Sequence, residues 1–89
     1  MDSIEFLEDE FILLHNTIGK NVARIRKIKK VTQLDLSLSI GYSSTSVIAK
    51  AEAGTEGRHF SIEQLYKIAK ILNVPISSFF ENVNTISQT

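Results

Sequence analysis

An 89-residue chain without cysteine is one small domain near the lower size limit for a self-sufficient core, with no disulfides or thiolate metal sites. Its acidic start is unlike a signal peptide and no apolar run approaches the ~20 residues that span a bilayer, so a soluble, cytoplasmic protein without membrane contact is expected. The net charge of zero hides an asymmetry: residues 1–10 carry five acids and no base, whereas residues 11–89 carry ten bases against five acids, with six of those bases between Lys20 and Lys30.

Taken in chain order, Ile4, Leu7, Phe11 and Leu14 fall at helical steps and predict an amphipathic helix over residues 3–14. Asp2 or Ser3 can cap it, and the acids of its first turns suit the positive end of the helix dipole. His15-Asn16-Thr17 reads as a break, with Thr17 as the next cap, or as part of one bent, continuous helix. Residues 1–17 are therefore taken as an acidic amphipathic arm. From Ile18 to Lys30 an inward face of Ile18, Val22, Ile25 and Ile28 is expected, with the bases spread over the remainder. Thr32 then caps a helix from Gln33 to Ile40, which turns Leu36, Ser37 and Ile40 inward.

A Gly-Tyr-Ser-Ser turn leads into the next short helix. Ser44 is the expected N-cap, the helix starts at about Thr45, and Gly54 can take the left-handed conformation that ends it. Its inward residues are Val47 or Ile48, and Ala51. Thr45, Ser46, Ala49 and Lys50 occupy the outward face, and their short or flexible side chains let a helix lie deep in a groove. Two short helices about such a turn are a helix-turn-helix. Ser61 and Gln64 form a capping box for a further helix that buries Ile62, Leu65, Ile68, Ala69 and Leu72 and stops at Asn73, before Pro75. A last short helix over Ile76–Val83 offers Ile76, Phe79 and Phe80 to the core. The domain thus runs over residues 18–83, followed by a polar tail at 84–89.

The stretch TQLDLSLSIGYSSTSVIAKAEAG, with RIRKIKK upstream and SIEQLYKIAKILNVPISSFF downstream, resembles the phage-repressor-like, Xre-type helix-turn-helix family over about Ile18–Phe80. The Thr-Gln opening, the Glu-x-Gly ending and the Leu-x-x-Ile-Ala-x-x-Leu helix occur together and in order. The resemblance implies an all-α fold, a compact five-helix bundle whose third helix enters the major groove of double-stranded DNA, usually as a homodimer on an inverted repeat. It puts the base-reading positions on Thr45, Ser46 and Lys50, a phosphate contact on Gln33, and Arg58 near the DNA backbone. Ser44 can also donate to a phosphate, while Arg24 and Lys27 would add salt-sensitive attraction. Arg26 and Glu52 are implied to be a structural ion pair. The stretch between Gly41 and Gly54 is one residue longer than is usual in the family. Placing the extra residue at Tyr42-Ser43 keeps Ile48, Ala51 and Glu52 in register; placing it inside the helix moves the assignments at 45, 46 and 50 by one.

No nucleophile, base and orienting acid recur at an interpretable spacing, so neither an enzyme nor a cofactor is expected. His15 and His59 are isolated, without cysteine or acid at metal-ligand spacing, and read as surface residues. Leu34 and Leu38 lie off the inward face of their helix, and the stripe of Leu7, Phe11 and Leu14, from the same chain or a partner, is expected to cover Leu38. The leading expectation is a sequence-specific DNA-binding transcriptional regulator. The alternative is an antitoxin-like or other protein-docking module whose acidic arm contacts a partner protein.

Overall fold

The computed structural model describes residues 4–85, which form four α-helices and three short 3-10 segments, with no strand among the described residues. Helix α1 spans Glu8–Ile28, α2 Gln33–Ser39, α3 Ser46–Ala53 and α4 Ile62–Leu72; the 3-10 segments are Thr55–Gly57, Ile76–Phe80 and Val83–Thr85.

The first helix starts later than the apolar stripe suggested. Leu7 has extended dihedrals (φ −94°, ψ 144°), and its N–H donates to the Glu10 carboxylate at 2.9 Å, which fixes the start at Glu8. The caps expected at Asp2 or Ser3 lie outside the described residues. From Glu8 the helix runs unbroken through His15-Asn16-Thr17, so of the two readings left open the continuous one holds. Leu14 and Ile18 both pack on the core, and a weak helix preference in the three residues between them is overridden by that tertiary contact.

Three of the helices end in the same way. At the end of α1, Val31 N–H reaches the Arg26 carbonyl (3.1 Å) and Lys30 N–H the Lys27 carbonyl (3.0 Å), with Lys30 at φ 60°. Equivalent pairs close α2, from Tyr42 to Ser37 and Gly41 to Leu38, and α4, from Val74 to Ala69 and Asn73 to Lys70. These are Schellman closures, which satisfy the last carbonyls and need one left-handed residue. Gly41 and Asn73 are residues that adopt that conformation readily; Lys30 is not, and its stop was visible only as an interruption in the apolar pattern.

The core joins Ile18, Val22 and Ile25 of α1 to Leu36, Ile48 and Phe79, together with Leu65, Ile68 and Leu72 of α4. Phe60, in the loop before α4, is also buried. Two expected core residues are not. Ile28 is 65% exposed, because it lies ~120° round α1 from Val22, and Ile62, ~120° round α4 from Ile68, is 63% exposed. The last expected helix, Ile76–Val83, is instead two 3-10 pieces. Glu81 is extended (ψ 137°) and Asn82 has φ 67°, so the segment never reaches the length at which an α-helix propagates. This gives four α-helices in place of the five expected.

Two contacts set how the bundle closes. A Cβ on Gly19 would stand 2.6 Å from the Ala51 carbonyl oxygen and 3.0 Å from that of Glu52, so the glycine is what allows α1 to lie against α3. Asn21, buried on α1, donates from Nδ2 to the carbonyls of Phe79 (3.0 Å) and Glu81 (2.9 Å), which ties the C-terminal segment to the first helix. Neither role was read from the sequence.

Candidate nucleic-acid interface

Helix α3 starts one residue later than expected, and Ser44 is not its N-cap. Thr45 holds that position with φ −77° and ψ −8°, and its carbonyl accepts the Ala49 N–H at 2.8 Å. Ser44 Oγ accepts the Ser46 N–H only at 3.4 Å, a long contact near the limit for such a bond. Tyr42 is held at one end by its N–H to the Ser37 carbonyl (2.9 Å) and at the other by its hydroxyl, which accepts from Gln64 Nε2 (2.8 Å) on α4.

Burial divides α3 into two faces. Ile48, Ala51 and Glu52 are buried, which is the register expected if the extra residue lies at Tyr42-Ser43. Ser46, Lys50 and Ala53 fall at steps of four and three on the opposite side, flanked by Val47 and Ala49. Val47 is 38% exposed, so of the pair Val47 or Ile48 it is the second that enters the core. That assigns an apolar side chain to the outward face that periodicity over eight residues left ambiguous.

The orientation of α3 is fixed by a buried charge network. Arg26 donates to both oxygens of Glu52, from Nε at 2.8 Å and Nη2 at 2.9 Å, with side-chain exposures of 8% and 6%. Arg26 Nη1 donates to the Val31 carbonyl at 3.0 Å, and Gln33 Nε2 donates to Glu52 Oε1 at 2.9 Å. One carboxylate thus joins the end of α1, the start of α2 and the end of α3. The Gln33 side-chain amide gives one of its two hydrogens to this network, and in the first turn of α2 the Asp35 N–H is capped by Thr32 Oγ at 3.0 Å.

The remaining bases are dispersed. Lys50 Nζ lies 3.6 Å from Glu56 Oε2, and Arg24 Nη2 lies 3.0 Å from Glu81 Oε2, each pair at the surface. Gly19 faces α3, and Arg24 is ~140° further round the same helix, on the side that meets the C-terminal segment. Lys27 is exposed near the end of α1. Ser46, Val47, Lys50, Arg58, His59 and Gln64 line a recess of about 150 Å³, so the structure brings two of the three expected base-reading residues together with Arg58, and adds His59 and Gln64 to them.

His15 and His59 are not isolated, although His59 is exposed as expected and His15 half-buried. Their rings stack at 3.7 Å between centroids and 13° between planes, and this contact joins α1 to the loop that follows α3. Burial, and then the neighbouring His59, hold the His15 imidazole below its ordinary pKa. A separation of 44 residues with no shared motif gave no sequence signal for the pair. Around it, Glu8, Phe11 and Ile12 of α1 face Gly54, Gly57 and Arg58 across a second recess. The arm therefore does not cover Leu38 of its own chain, which is 55% exposed.

Among the described residues no group of three or more His, Cys, Asp or Glu side chains is placed to hold a metal ion, and no helix is long and apolar enough to cross a membrane. What the site offers is an outward helix bearing a hydroxyl, an ammonium and small apolar groups, on a frame braced from behind. No curated protein matches the chain. Residues 22–79 match the family model HTH_3, helix-turn-helix, which covers more than half of the chain. With the exposed α3, the short α2 before it and the buried brace behind both, the chain belongs to the phage-repressor-like, Xre-type helix-turn-helix family, a family of DNA-binding regulators.

Proposed function

We propose that this protein is a sequence-specific, double-stranded DNA-binding transcriptional regulator that acts by occupancy, as a dimer on an inverted-repeat operator, without a cofactor. The observation that carries the reading is the outward stripe of α3: Ser46 and Lys50 with Val47 beside them, directly opposite the buried Ile48, Ala51 and Glu52. A helix presenting hydroxyl, methyl and ammonium groups suits base edges in the major groove, where Lys50 can donate to guanine and Val47 or Thr45 can touch a thymine methyl. Arg58, the Ser44 hydroxyl and the second N–H of the Gln33 side-chain amide suit phosphates, which fix register and carry no sequence information. Lys27 adds salt-sensitive attraction, and Arg24 does so to the extent that Glu81 releases it.

Selection from a random duplex pool at two salt concentrations tests this. The expected product is one preferred, two-fold symmetric site with half-sites roughly 34 Å apart, bound more tightly at low salt. A pool that emerges without sequence preference overturns the reading.

A further inference from the structure

Two exposed apolar surfaces of this chain are complementary to each other and do not meet within one molecule. The first is the arm. Phe11 and Leu14 continue the inner stripe of α1, with Leu7 just before it at the N-cap, but only Leu14 packs on the core; Leu7 is 60% exposed and Phe11, stacked on Phe6 at 6.3 Å, is 47% exposed. Around this stripe stand Glu5, Glu8, Asp9 and Glu10. The second is a groove of about 440 Å³ between the end of α2 and α4, floored by Leu38, Ile40 and Ile71 and edged by Lys67 and Lys70. The arm of the same chain lies elsewhere, against the loop after α3.

We propose that the groove is filled by the arm of a second copy of this chain, and that the exchange is reciprocal. An acid-flanked apolar stripe meets a lysine-edged apolar groove, so apolar burial supplies affinity and opposite charges at the rim set register and partner choice. A reciprocal exchange uses both surfaces twice and closes the assembly as a dimer, where a one-way exchange would leave an open chain. The arm offers Ile4, Phe6, Leu7, Phe11, Ile12 and Leu13, all 47–76% exposed, and reciprocity doubles whatever area one arm and one groove bury toward the ~1,000 Å² of a specific interface. Two arms packed on each other would instead bring like charges together. This interface involves no contact with DNA and stands whether or not the DNA reading holds.

The test is a charge swap read by sedimentation equilibrium without DNA. One variant carries Glu5→Lys and Asp9→Lys; the other carries Lys67→Glu and Lys70→Glu. All four side chains are exposed, and far-UV circular dichroism with a cooperative melt checks that both variants fold. The wild-type chain should sediment at twice its 10.0 kDa mass. Each variant alone sets like charges against each other at both contacts, and its dissociation constant should rise about tenfold or more. An equimolar mixture pairs the basic arm with the acidic groove and the acidic arm with the basic groove, and should restore the dimer. Leu38→Glu should also give monomers, by placing a charge on the groove floor. A monomeric wild-type chain, a groove variant that stays dimeric, or two monomeric variants that fail to associate when mixed would each overturn the proposal.

Discussion

The His15 imidazole stacks on that of His59 at 3.7 Å, almost parallel, and so couples the projecting first helix to the loop beside α3. Burial and the second ring both disfavour the charged form, so the folded chain holds the His15 proton more weakly than the unfolded chain, whose value is the ordinary 6.5. Between the lowered folded value and 6.5 the unfolded state binds more protons, stability rises with pH, and it is lost as pH falls through that window. Urea midpoints measured from pH 7.5 down to 5 should therefore drop more steeply for the wild-type chain than for His15→Gln. Parallel profiles would show that the stack does not couple protonation to folding.

Gly19 tests the close approach of α1 and α3. Alanine is worth about 1 kcal/mol more than glycine in a helix interior, so on propensity alone Gly19→Ala should stabilise the protein. The added Cβ, however, would meet the Ala51 carbonyl oxygen at 2.6 Å, and that oxygen is backbone that cannot swing aside. Overpacking of this kind costs about 1–3 kcal/mol, enough to cancel or exceed the gain. The expected result is a melting temperature lowered by several degrees, since ~1 kcal/mol corresponds to about 4–8 °C in a domain of this size. A raised melting temperature would mean that the two helices separate freely.

The same glycine shows where the sequence stopped being legible. Elements that announce themselves through local chemistry were readable: Thr32 accepts the Asp35 N–H, Ser61 and Gln64 exchange both bonds of a capping box, and Gly54 and Asn73 end their helices in the left-handed region. The outward side of α3 was readable too, apart from the one-residue shift at Thr45; the anchor of Tyr42 in the preceding turn was not, because its partner Gln64 belongs to another helix. Contacts that depend on tertiary approach had no local signature. Gly19 against α3, Asn21 on the Phe79 and Glu81 carbonyls, and the His15 and His59 stack each join residues more than 30 positions apart. Ile28 and Ile62 failed for the opposite reason: both are apolar and near the right spacing, but a helix end can carry such a residue past the edge of the core.

Glu52 accepts from three donors, two on Arg26 and one on Gln33, so its charge is the centre of the brace behind α3. Glu52→Gln keeps the shape and leaves the Arg26 guanidinium buried without its counter-charge, which should cost about 3–5 kcal/mol. That is a large share of the ~5–15 kcal/mol that holds a small domain together. Gln33→Ala removes one hydrogen bond to a charged group while the ion pair persists, and about 1–3 kcal/mol is expected. Urea unfolding of the two variants should show this order; equal effects would mean that the carboxylate is held chiefly by Gln33.

Lys50 stands on the outward stripe of α3 with Glu56 Oε2 3.6 Å from its ammonium, and the two acidic and basic neighbours predict opposite outcomes for DNA binding. Glu56→Gln removes a negative charge beside the interface and releases the ammonium. An exposed pair is worth about 0.2–1 kcal/mol, so affinity should rise roughly 1.5- to 5-fold, on preferred and random duplexes alike. Lys50→Ala should instead relax the preference at one base pair by about 1–3 kcal/mol and leave the other positions unchanged. Competition binding against a panel of single-base operator variants separates the two effects. If Lys50→Ala weakens every duplex by the same factor and flattens the salt dependence, the ammonium contacts a phosphate, and discrimination rests on Thr45, Ser46 and Val47.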